Sequence, residues 1–139
     1  IAINDEGHAY ASGGLLLRLR DLARFGELFI RPTEFGVFGV DRVREMRNSG
    51  PLLDAVLKAE LTDTFGADLP IRASWQWDRI WADGGMFKSG YLGQGLYVDP
   101  DRQLVIAWFG TGLDFNEQTN DMTSISRQLA TSGLFDAGR

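Results

Sequence analysis

The sequence predicts an α+β fold, with short helices followed by an antiparallel meander sheet and a closing C-terminal helix. Three observations carry this expectation. Apolar residues recur at helical spacing between Arg20 and Phe29. From Arg72 onward, aromatic and β-branched residues gather in short runs separated by turn residues. A last amphipathic stretch runs up to Thr131. Residues 1–70 read as a helical and loop part and 71–139 as sheet plus helix, in a single domain or fragment of one.

Each element has a local reason. Ile1 to Ser12 is polar and aperiodic and reads as loop, and Gly13-Gly14 allows a tight turn. A helix begins near Arg20, with Leu22, Phe25, Leu28 and Phe29 on its apolar side and Pro32 just past its end. Thr33 to Gly39 connects. Asp41 caps a short helix to about Arg47 that buries Val43 and Met46. Gly50-Pro51 breaks it, and Pro51 fits the first turn of a helix over Leu52 to Leu61. Thr62 to Pro70 is irregular. Arg72 to Trp81 reads as one strand, with Trp75, Trp77 and Arg79 on one face. Asp83-Gly84 is a hairpin turn, and Met86 to Ser89 returns as partner. Gln94 to Val98 follows, with Leu96 and Val98 facing one way. Asp99-Pro100-Asp101-Arg102 is a turn in which proline presets φ and aspartate bonds its own backbone. Gln103 to Gly110, nearly all apolar, reads as a central strand. Asn120 or Asp121 caps the last helix, which turns Met122, Ile125 and Leu129 inward to cover one face of the sheet.

Composition excludes several functions. The chain has 139 residues, 44% of them hydrophobic, enough for a core. Its net charge of −5 argues against nucleic acid or an anionic membrane as partner. No cysteine is present, so thiol catalysis, disulfides and zinc-thiolate sites are out. The one histidine, His8, lies in a polar loop beside Asp5 and Glu6 and reads as a loop residue. No metal site or cofactor is implied. The chain opens on Ile1 rather than Met, so an upstream part is expected and the compartment stays open.

The run Phe87-Lys88-Ser89-Gly90-Tyr91-Leu92-Gly93-Gln94 precedes Gly95-Leu96-Tyr97-Val98-Asp99-Pro100 and an apolar strand. This order resembles the last strands of the β-lactamase-like (penicillin-recognising) serine hydrolases, nearest the esterase and 6-aminohexanoate-dimer hydrolase branch. In that group a three-residue box such as K-T-G lies on an edge strand beside the nucleophile. Ala11-Ser12-Gly13-Gly14-Leu15 and Arg20-Asp21-Leu22-Ala23-Arg24-Phe25 are similar to an earlier segment of the same family. The resemblance spans most of the chain and is weakest from Thr33 to Pro70. It implies the C-terminal portion of a β-lactamase/transpeptidase-like fold, acting on a small acyl substrate through an acyl-enzyme.

Acyl transfer builds charge on a carbonyl oxygen, and a preorganised N–H beside it is worth roughly 3–4 kcal/mol. By resemblance, the Tyr91 N–H is such a donor. Lys88 places a positive charge near a substrate carboxylate or the nucleophile's proton network. Ser89 hydrogen-bonds substrate, and Gly90 keeps the strand bare for its approach. Tyr10 lines the cleft. The family nucleophile lies in S-x-x-K, and no serine here has lysine three residues on; the lysines are Lys58 and Lys88. The chain is therefore expected to be inactive alone. The same residues also read as an ordinary hairpin in a non-catalytic binding or structural module. A sheet lacking partner strands would expose an edge, through which self-association is expected.

Overall fold

The computed structural model describes residues 5–7, 16–110 and 115–135, without side chains for Leu92 and residues 115–121. Its α+β architecture agrees with the predicted class. Helices α1 (Leu19–Ile30), α2 (Pro32–Phe35), α3 (Val40–Asn48) and α4 (Ala55–Phe65) lead into β1 (Arg72–Ser74), β2 (Trp77–Ile80), β3 (Met86–Ser89), β4 (Gly95–Asp99) and β5 (Leu104–Trp108), and α5 (Phe115–Thr131) closes the order. The five strands form one antiparallel meander in the order of the chain.

Alternation along the strands builds two cores. Ile80, Met86, Leu96 and Val98 face one side, where Phe29 of α1 and Val43 of α3 join them. Phe87, Tyr97 and Trp108 face the other, beneath Ala130 of α5 and Phe65 of α4. Helices therefore cover both faces, not one as expected. This explains β4, whose five residues are all buried. α1 rides close on the sheet because Gly26 lacks a Cβ, which would meet Val105 Cγ1 at 2.6 Å.

Several local expectations need correction. The connector holds the short α2, ended by Gly36 in the left-handed region. α3 is capped by Gly39, with Asp41 in its first turn rather than at the cap. The helix expected from Leu52 starts at Ala55, where Asp54 accepts the Leu57 N–H at 2.8 Å, and it runs on to Phe65. Pro51 to Leu53 is extended instead and pairs with β1, through Leu53 N–H to Ile71 O and Ala73 N–H to Pro51 O. The single strand expected over Arg72 to Trp81 is a hairpin. Trp75 and Gln76 turn it at φ 50° and 70°, with Ser74 opposite Trp77. Both residues pay for the left-handed region, but Trp75 donates to Ser49 Oγ at 3.0 Å and carries Arg42 over its ring. The strand read as central, β5, is the last of the sheet among the described residues.

α5 departs most. It begins at Phe115, before the expected caps. Among its described side chains, Thr123, Ser124, Ser126, Arg127 and Ala130 are buried and Met122 packs on the core as expected, whereas Ile125 is 47% exposed. The reason is a charged network at the turn end of the sheet. Arg127 grips Asp68 with two hydrogen bonds of 2.6 and 2.9 Å and reaches Asp83 at 2.9 Å and Tyr97 Oη at 3.0 Å. Arg102 binds Asp83 at 2.7 Å and the fully buried Asp99 at 2.8 Å. Arg47 binds Asp101 through both terminal nitrogens.

This network sets the acid limit of the fold. Burial pushes the Asp83 carboxyl up, but the hydrogen bonds from Arg102 and Arg127 outweigh it and leave its pKa below the ordinary value. A depressed carboxylate stabilises the fold above its unfolded pKa of about 3.9, and that contribution fades as pH falls through the folded value. Stability should therefore fall below about pH 4, and Asp83→Asn should flatten that limb. Urea midpoints taken between neutral and acid pH check this; an unchanged acid limb in Asp83→Asn counts against it.

Candidate functional site

The Lys-Ser-Gly box lies at the end of the sheet opposite the charged network. β3 delivers it there because Met86 and Phe87 anchor the strand in the two cores, both fully buried. The box does not lie on an edge strand, as expected, because β3 runs between β2 and β4. Only Lys88 and Ser89, the last two residues of β3, lack a strand partner on the β2 side. β2 pairs with Met86 and Phe87 alone, while β4 continues to Lys88 and Ser89.

A side chain fills that gap. Asp78 accepts Lys88 Nζ at 2.7 Å through one oxygen. Its other oxygen accepts the Ser89 N–H at 2.7 Å and Ser89 Oγ at 2.5 Å. One carboxylate thus ties together two of the predicted site residues. Lys88 and Asp78 stay 41% and 34% exposed, so solvent reaches both. The Lys88 charge is matched by a neighbour, and the Ser89 hydroxyl proton is committed. Ser89 still offers oxygen lone pairs to a donor.

Gly90 is extended, and its N–H closes the loop onto Gln94 O at 2.8 Å. A Cβ at Gly90 would run into the Gln94 side chain, which is the close approach that calls for glycine here. Tyr91 opens a 3-10 turn that ends at Gly93, and the first N–H groups of any helical turn have no partner within it. Its side chain is 75% exposed. The turn is moored from below by Trp108, whose Nε1 donates to Gly93 O at 2.9 Å. Lys88, Ser89, Gly90 and Tyr91 therefore form one contiguous, solvent-facing lip. Tyr10, Gly13, Gly14 and His8 lie outside the described residues, so the lip is built without them.

Asp78 is the residue that the sequence reading missed. Its reach to Lys88 and Ser89 follows from the turn at Trp75-Gln76, which carries no glycine or asparagine to announce it. Arg79, next along β2, packs its guanidinium against the rings of Phe65 and Phe87 on the α5 side. Burial lowers its pKa, with Asp78 acting in the opposite sense. No group of His, Asp and Glu suited to a metal ion occurs among the described residues, and no helix among them is long and apolar enough to cross a membrane. A cavity of about 300 Å³ lies at the other end of the sheet, among Phe29, Pro32, Val43, Arg47 and Pro100, remote from the lip. No protein-family model matches the chain, and comparison with curated proteins and with solved structures finds no match.

Proposed function

We propose that this chain supplies the substrate and oxyanion wall of a β-lactamase-like serine hydrolase, whose nucleophile lies outside these residues. The observation that supports this reading is the lip itself. An ammonium, a hydroxyl, a glycine and a turn-opening N–H follow one another at an open strand end. In this role the Tyr91 N–H faces the acyl oxygen, and Ser89 and Lys88 receive the substrate's polar end. The reacting serine would come from another part of the full protein, because none of the described groups could activate Ser89. Its hydroxyl donates to a carboxylate already held by Lys88, and the only histidine in the sequence is His8.

One observation favours a second reading, a non-catalytic module. Asp78 already occupies both Lys88 and Ser89, as a structural brace would. The two readings separate in one titration. With the isotope-labelled chain and benzylpenicillin as probe, the first predicts amide shifts confined to Ser89 through Gln94, with no covalent adduct by mass spectrometry. Asp78→Asn removes a competing carboxylate and should tighten binding several-fold. Shifts that leave Ser89 to Gln94 untouched favour the brace. A burst of p-nitrophenyl acetate hydrolysis, abolished by replacing one serine of this chain, would sink the nucleophile-elsewhere reading.

A further inference from the structure

The chemistry at the open end of β3 turns on what Lys88 and Ser89 still offer a ligand. Lys88, which the resemblance sets against a substrate carboxylate, already holds a carboxylate of its own chain. Asp78 Oδ1 accepts its ammonium at 2.7 Å. Ser89 has committed both of its donors, the N–H at 2.7 Å and the hydroxyl at 2.5 Å, to Asp78 Oδ2. The positive charge that a box lysine brings is therefore cancelled at its source.

What remains is mixed in character. The ammonium keeps further N–H donors, Oδ1 has accepted one donor and has room for another, and Ser89 Oγ retains lone pairs. Both members of the ion pair stay open to solvent, Lys88 at 41% and Asp78 at 34%. Donors beside acceptors suit a group that both accepts and donates. A carboxylate only accepts. It would meet the ammonium, but it would set its charge against that of Asp78 and give up its hydration for little net attraction.

We propose that Asp78 determines specificity by charge: the lip takes acyl substrates whose polar end is an uncharged donor and acceptor, such as a carboxamide, and disfavours those that end in a carboxylate. This rests on the hydrolase-wall reading and names the substrate class of that site. The placement of Asp78 supports it. β2 pairs with β3 only through Arg79 and Ile80, so Asp78 is the first residue past the ladder on the lip side. Bracing Ser89 there calls for an acceptor, which an uncharged oxygen would supply as well. The carboxylate adds a charge, at a position that a ligand can reach. The neighbouring Arg79 holds its guanidinium over the rings of Phe65 and Phe87. Its charge is the same in every variant below and drops out of the comparison.

The test uses the whole isotope-labelled chain with benzylpenicillin and its primary carboxamide, the same body with an NH2 in place of one carboxylate oxygen. Amide shifts at Ser89 through Gln94 give both dissociation constants. The carboxamide should bind roughly fivefold tighter, the scale of one exposed charge contact. Asp78→Asn keeps the shape and an acceptor, leaves Lys88 unmatched, and should cancel or reverse that preference. Asp41→Asn changes the net charge by the same amount and should leave the preference intact. Asp41 is 93% exposed on α3 and pairs with Arg44, which lines the cavity at the other end of the sheet. Equal or tighter binding of benzylpenicillin by the unaltered chain overturns the inference, with no variant needed. So does a preference that survives in Asp78→Asn, or one that Asp41→Asn also cancels. In each of these cases, shifts at Ser89 to Gln94 leave the hydrolase-wall reading standing. If neither compound shifts those amides, that reading and this inference fall together.

Discussion

Replacing Arg127 by alanine should cost the fold about 3 kcal/mol and lower its melting temperature by about 10 °C. The side chain is 7% exposed, and its fork serves Asp68, Asp83 and Tyr97 at once. Removing one partner of a buried ion pair costs about 3–5 kcal/mol, because the remaining charge loses its compensation. Two facts bring this case to the lower end. Asp68 is 49% exposed and can rehydrate, and Asp83 keeps Arg102. A further contribution comes from the ring of Trp81, over which the guanidinium sits at 5.1 Å. Lysine keeps the charge but not the fork, so Arg127→Lys should recover no more than half of the loss. Urea unfolding with an unchanged slope measures both. A loss under about 1 kcal/mol in Arg127→Ala would show that the network is spectator geometry.

The same residue shows where sequence reading stops. Turns with a local mechanism were legible: Asp83-Gly84 closes a hairpin, and Asp99-Pro100 links β4 to β5. So was α1, where periodicity and the following Pro32 agree. The inner face of α5 was not. Apolar periodicity pointed to Met122, which does pack on the core, and to Ile125 and Leu129, but Asp68 and Asp83, from loops more than forty residues away, draw Arg127 inward and leave Ile125 exposed. Long-range charge pairing leaves no periodic trace. The rank of β5 in the sheet was hidden for a related reason. Helices on both faces require an apolar strand whether or not a neighbour follows it, so the run Leu104 to Trp108 reads alike at centre and edge.

The candidate site divides in the same way. Lys88, Ser89, Gly90 and Tyr91 are adjacent in sequence, and β3 with the turn after it keeps them adjacent in space. Asp78 joins them only because the β1–β2 hairpin turns at Trp75-Gln76. That turn is held by Ser49 and Arg42, both more than twenty residues upstream. A chemical run can be read from neighbours in sequence; the carboxylate that sets its charge cannot.

Trp108 carries the second large effect, and it reaches the lip. Its ring is 8% exposed and stacks on Phe87 at 5.7 Å and 7°. It lies against Gly95, where any Cβ would enter the ring. Trp108→Ala should therefore cost about 3–5 kcal/mol through cavity formation alone, since Phe87 and the backbone at Gly95 cannot collapse far into the space. Trp108→Phe separates packing from mooring. It keeps most of the ring but leaves Gly93 O, at a buried position, without its donor, for about 1–3 kcal/mol. The two losses should differ in where they are felt. In Trp108→Phe, amide exchange should quicken at Tyr91 through Gly93 well before the core strands follow, because the 3-10 turn loses its hold from below. On the proposed hydrolase-wall reading, ligand-induced shifts at Tyr91 should weaken in parallel, since a donor must be preorganised to stabilise developing charge. If Trp108→Phe instead exchanges uniformly across the sheet, the turn is held by its own Gly90–Gln94 closure, and the ring contributes packing alone.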